Sequence, residues 1–120
     1  MSAEEIKSLL DELSERLKSR DAQGAADLFN ENALYSEPPR PQLQGRPAIA
    51  ALFRAFFAQH YAVEFAFRRI LIGEGEAAAE WTFSYARSSD GSRRHLDGIS
   101  FIDTSSGRIQ SWRGFSAQQR

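Results

Sequence analysis

No cysteine occurs in this 120-residue chain, so disulfides, thiolate catalysis and cysteine-built metal sites are all excluded. Imidazole is nearly as scarce, with only His60 and His95 to supply it. Two imidazoles and scattered carboxylates without ligand spacing give no basis for a metal or another cofactor, and none is expected. Neither sign of charge dominates, with 15 basic and 16 acidic residues. A formal net charge of -1 creates no broad field to recruit nucleic acid or an anionic membrane, so neither is an expected partner. Long apolar runs are absent, since charges break every stretch well before the ~20 residues that a bilayer demands. The first ten residues show no basic segment leading into an apolar one, so a cytoplasmic protein without a secretory signal is expected.

What remains is an ordinary globular composition, 42% hydrophobic and 26% charged, at a length suited to one domain spanning residues 1–120. Ile6, Leu9, Leu10, Leu13 and Leu17 recur at three- and four-residue spacing, which predicts an amphipathic helix between Ser2 and Arg20. Its start, Ser2-x-x-Glu5, can satisfy two orphan amide donors reciprocally. Asp21 is placed to cap a shorter second helix carrying Ala25, Ala26, Leu28 and Phe29. Ala33 to Ser36 reads as a brief strand, and Pro38, Pro39 and Pro41 force an extended loop after Glu37. Gly45 ends that loop, Pro47 suits a first helical turn, and Ile49, Leu52, Phe53, Phe56 and Phe57 mark a third helix.

From Tyr61 the apolar period changes from helical to alternating. Val63, Phe65 and Phe67 share one face of a strand running towards Ile72, and Gly73-Glu74-Gly75 signals a hairpin. The next strand sets Ala79, Trp81, Phe83 and Tyr85 on one face and Glu80, Thr82 and Ser84 on the other. Asp90-Gly91 marks a turn, a further strand covers Arg94 to Ile102, and a last one runs from Arg108 to about Ser116. Ala117 to Arg120 reads as a frayed polar tail.

This order of elements, with the strand end Ser36-Glu37-Pro38, the helix start Gly45-Arg46-Pro47-Ala48-Ile49 and the closing Gly107-Arg108-Ile109-Gln110-Ser111-Trp112-Arg113, resembles the nuclear transport factor 2-like superfamily. Within it the chain is most similar to the SnoaL-like group, which includes ketosteroid isomerases, limonene epoxide hydrolases and polyketide cyclases. The resemblance implies an α+β fold. In such a fold a cone-like barrel has three N-terminal helices packed on the concave face of a strongly curved, mainly antiparallel sheet, with a ligand pocket at the open end. It also implies a homodimer formed through the outer sheet face, and a polar-looking Glu80, Thr82 and Ser84 face is the surface offered for it. Periodicity agrees on the layers, because a helical layer over one sheet needs one apolar sheet face and the Trp81, Phe83, Tyr85 stripe supplies it.

Glu37 is the first candidate for chemistry. In ketosteroid isomerases the general base is an acid directly before a proline, and Glu37-Pro38 occupies the matching place. A carboxylate at the mouth of an apolar cavity has its charged form disfavoured, which raises its proton affinity into a useful range. The plain alternative is a solvated glutamate on a Pro-rich loop. Departures from the isomerase pattern accompany it: the oxyanion-binding tyrosine and acid align with Leu13 and Ile99, and supporting tyrosines with Phe29 and Phe53. The aspartate that epoxide hydrolases and polyketide cyclases carry after the last-strand tryptophan is Gly114 here.

His95 and Asp97, two apart on the penultimate strand, are expected to share an inward face with Ile99 and Phe101. Asp97 is the second candidate acid, with Arg93, Arg94 or His95 as its nearest counter-charges and a structural ion pair as the alternative. Tyr35, Tyr61 and Tyr85 could each donate a hydroxyl to a ligand. Tyr35, Phe53, Phe57, Trp81, Phe83, Tyr85, Ile99 and Trp112 are expected to line the pocket. Two functions follow. One is a protein that binds a small, mostly apolar molecule and performs isomerase-, cyclase- or hydrolase-type proton transfer on it through Glu37, Asp97 and His95. The other is a non-catalytic ligand-binding or dimerisation module on the same fold.

Overall fold

A computed structural model describes residues 1–118, and 119–120 lie outside the described residues. Three helices precede most of the sheet: α1 (Ala3–Lys18), α2 (Ala22–Ala26) and α3 (Arg46–Gln59). The strands are β1 (Phe29–Ser36), β2 (Leu43–Gln44), β3 (His60–Ile72), β4 (Glu76–Arg87), β5 (Arg93–Ser105) and β6 (Arg108–Gln118). They form one open sheet in the order β2-β1-β6-β5-β4-β3. Every neighbouring pair is antiparallel except β1 with β6, so the sheet is mixed and mainly antiparallel, as expected for the α+β cone.

Local chemistry accounts for the helix ends. Ser2 accepts from the Glu5 amide while Glu5 accepts from the Ser2 amide, closing the capping box at the start of α1. Asp21 accepts from the Gly24 amide and caps α2. Gly45 precedes α3 at φ +98°, a conformation that disfavours any residue with a β-carbon. On β3 a register shift between Phe67 and Arg69 lets both Arg68 and Arg69 face solvent before Ile70 and Ile72 return to the inner face.

The core lies between the helices and one face of the sheet. Ile6, Leu10 and Leu13 from α1, Ile49 from α3, Phe29 from β1, Ala79 from β4, Ile102 from β5 and Ile109 from β6 are sealed in it. Ser14 ties α1 to the sheet by donating its hydroxyl to the Phe65 carbonyl at 3.0 Å. Several expected boundaries shift: α2 ends at Ala26, short of Leu28 and Phe29, and β5 runs on past Ile102 to Ser105. The strand expected at Ala33 begins at Phe29, because Phe29 pairs with Ile109 of β6. Ala117 and Gln118 extend β6 by pairing with Asp97 and Leu96, so the frayed tail does not begin at Ala117, and its last two residues lie outside the described ones.

Candidate functional site

Helices and sheet do not close completely on each other. A cavity of about 280 Å³ remains between them, walled by Leu13, Leu17, Phe53, Phe56 and Phe57 from the helices. From the sheet come Phe65, Trp81, Phe83, Tyr85, Leu96 and Trp112. Pro38, Pro39 and Arg40 lie at its rim, where the proline loop leaves β1. The aromatic wall is ordered by edge and stacking contacts: Tyr35 lies parallel to Trp112, at 6.3 Å and 6° between planes, and edge-on to Phe53 at 5.8 Å.

Glu37 is the acidic group in this apolar wall. It leaves the end of β1 two residues after Tyr35, and strand alternation puts both side chains on the cavity side. The Tyr35 hydroxyl donates to Glu37 Oε1 at 2.9 Å. Burial disfavours the ionised form and pushes the Glu37 carboxyl above its ordinary range; the Tyr35 hydrogen bond and the Arg40 charge pull the other way and do not cancel the shift. The Tyr35 phenol is held well above its own range, first by burial and then by the adjoining Glu37 charge, so it stays protonated as a donor. A carboxyl with raised proton affinity, oriented by a neutral phenol, is suited to exchanging a proton with a bound molecule.

Seven of the eight expected lining residues, Tyr35, Phe53, Phe57, Trp81, Phe83, Tyr85 and Trp112, face the cavity. Ile99 does not. It is 44% exposed on the outer face, where it pairs with Glu80 and Phe115. His95 and Asp97 share its parity and are exposed there too, so β5 presents to the cavity the face opposite to the one expected. The physical reason is Gly98, which pairs with Trp81: a β-carbon on Gly98 would fall 2.2 Å from Trp81 Cζ2. The indole occupies the space that a side chain at 98 would need, and that fixes Leu96, Gly98, Ser100 and Ile102 as the inner set. His95 instead borders a second hollow with Lys18, Glu64, Thr82 and Ser84. The alignment of Ile99 with the isomerase acid is corrected accordingly, since the inward neighbours are Gly98 and Ser100. Tyr61 is exposed and away from the cavity.

Sequence reasoning missed Leu96 and Phe56 in the cavity wall, and Ser100 behind it. Ser100 is fully buried beneath Trp81, whose indole N–H donates to its hydroxyl oxygen at 2.8 Å. Its inward position could be read only after the parity of β5 was known. Among the described residues, no three His, Cys, Asp or Glu side chains come together as a metal site, and no helix is long and apolar enough to cross a membrane.

Comparison with known proteins places this geometry. None of the curated proteins matches the sequence. Among solved structures, a candidate isomerase from Bacillus subtilis is similar with a TM-score of 0.85 at 20% identity, covering 95% of this chain and 87% of that one. An LEH-like epoxide hydrolase from M. tuberculosis follows at 0.82 and 17%, covering 94% and 83%. A ketosteroid isomerase-like-fold protein from Catenulispora acidiphila, in complex with trimethylamine, is similar at 0.81 and 11%, covering 88% and 82%. At these identities the structures establish the fold alone. The SnoaL-like domain model matches residues 10–112, nearly the whole chain, and the protein belongs to the SnoaL-like domain family.

Proposed function

We propose that the protein binds a small, mostly apolar molecule in the cone cavity and exchanges a proton with it through Glu37. The observation that carries this reading is the Glu37 carboxyl: it lines a cavity walled mainly by apolar and aromatic side chains, burial raises its proton affinity, and Tyr35 holds it by one oxygen. Proteins of the same fold named as a candidate isomerase and as an epoxide hydrolase suit acid/base chemistry. His95 and Asp97 have no part in this proposal, because both stand on the outer face. The second reading is a binding module without chemistry, favoured by Leu13 and Gly114, two cavity positions with no polar side chain.

One titration separates the two readings. 2-Naphthol, a bicyclic probe, should quench the fluorescence of Trp81 and Trp112 saturably, with an affinity that changes as pH passes through the raised Glu37 midpoint. Glu37→Gln should remove that pH dependence. Binding with the same profile in both proteins contradicts the role of Glu37 and leaves the module; no saturable binding contradicts the pocket itself.

The homodimer also belongs to this proposal, on a surface different in character from the expected one. The outer face is apolar at its centre: Phe101 is 54% exposed and Phe115 38% exposed, and Ile99 and Phe115 pair directly across β5 and β6. Arg113 lies over the Phe115 ring at 5.2 Å, beside this strip. A second copy placed on it would cover the strip by two-fold symmetry.

A further inference from the structure

We propose that Trp112 is the hydrogen-bond donor that anchors an oxygen of the ligand, in a cradle left by the absent side chain of Gly114, and that the ligand is therefore an apolar molecule bearing a carbonyl group. This rests on the pocket reading above and extends it to residues outside the Glu37–Tyr35 pair. Trp112 is 4% exposed, and its indole Nε1 is buried without a hydrogen-bond partner among the described residues. A buried donor left unsatisfied costs roughly 1–3 kcal/mol, so a group that satisfies it gains correspondingly. Trp81, the neighbouring indole, has no such vacancy, because Ser100 accepts its N–H.

Gly114 lies beside the Trp112 N–H. A β-carbon built on Gly114 would sit 3.0 Å from Trp112 Nε1, 3.0 Å from Ser100 Oγ and 3.5 Å from Glu37 Oε2. Three polar atoms thus ring one spot in an apolar wall, and the strand leaves that spot without a side chain. Trp112 offers a donor that cannot accept, and Ser100, whose oxygen already accepts from Trp81, keeps its own hydrogen to give. Glu37 Oε2 is the third member of the rim, and Tyr35 donates to the other oxygen of that carboxyl. Two donors beside a carboxyl of raised proton affinity select a group that accepts hydrogen bonds, and a carbonyl oxygen on an apolar frame meets that demand while its carbon skeleton fills the aromatic walls.

The test compares 1-tetralone with tetralin, which share a bicyclic frame and differ by the carbonyl oxygen, against the intact protein. Tetralone should bind about tenfold more tightly, the worth of one well-made buried hydrogen bond. In ¹H–¹⁵N spectra it should shift the Trp112 indole resonance, while tetralin leaves the hydrogen-bonding environment of that N–H unchanged. Trp112→Phe should abolish the preference. Because Trp112 is also core, Gly114→Ala provides the second variant: its methyl group occupies the cradle and should erase the preference as well. Equal binding of the two probes, with no tetralone-specific indole shift, overturns the anchoring role and leaves the apolar pocket standing. Binding of neither probe overturns the pocket reading and this inference with it.

Discussion

Tyr35 and Glu37 stand two residues apart at the end of β1, with the phenol hydroxyl donating to Glu37 Oε1 at 2.9 Å. The pair couples a donor that stays protonated to a carboxyl whose proton affinity burial has raised. Tyr35→Phe removes the bond that favours the ionised carboxylate, so the Glu37 midpoint should move further upward. Loss of the hydrogen bond should also destabilise the fold by about 1 kcal/mol at neutral pH. Urea unfolding with a carboxyl titration of the variant checks both; a Glu37 midpoint that falls would contradict the assigned role of Tyr35.

Stability should depend on pH through Glu37 with a definite sign. Its folded affinity for a proton exceeds that of the unfolded chain, where the ordinary value is 4.5. The native state therefore binds more protons than the unfolded state between those two midpoints, and stability falls as pH rises through that window. Glu37→Gln cannot ionise. Its thermal midpoint relative to the parent should accordingly be lowest below pH 4.5 and should increase above it, levelling off once the folded carboxyl has ionised. A difference that stays constant between pH 3 and 8 would show that Glu37 is not desolvated.

Gly98 is required by packing. The Trp81 indole covers it so closely that a β-carbon there would lie 2.2–2.6 Å from three indole atoms. Gly98→Ala should cost about 2–3 kcal/mol through overpacking, and denaturant midpoints would report it. Gly107, with nothing within 4 Å of a built β-carbon, lacks that steric term, although its φ of +80° still favours glycine.

The outer strip of Ile99, Phe101 and Phe115 sets the expected oligomeric state. Phe101→Lys should convert a dimer to a monomer in light scattering while leaving far-UV circular dichroism unchanged, since the side chain is exposed within one chain. A parent protein that is monomeric at working concentration would refute the dimer.

Much of the architecture was legible because its signals are local. Ser2 with Glu5, Asp21, and Gly45 with Pro47 mark helix starts by chemistry confined to one turn, and each does so in the structure. Glu37 was found through the family resemblance, by its place before Pro38 at a strand end. The face of β5 was not legible, since its two alternating sets both contain apolar residues: Leu96 and Ile102 in one, Ile99 and Phe101 in the other. The choice between them is made across the sheet, where the Trp81 indole fits only over a residue without a side chain. That same long-range fit hid Ser100 and removed Asp97, His95 and Ile99 from the cavity. The unsatisfied Trp112 N–H is likewise invisible in sequence, because it depends on what surrounds Nε1 rather than on Trp112 itself.

As proposed above, the cavity takes an apolar molecule, and Glu37 is the desolvated acid that faces it. Carbon-13 titration of the glutamate side-chain carboxyls, without ligand and then with saturating 2-naphthol, tests it most directly. One resonance, lost in Glu37→Gln, should titrate above the exposed glutamates and move upward again when the probe excludes water from the cavity. A Glu37 resonance that titrates with the exposed glutamates and ignores the probe would contradict the account.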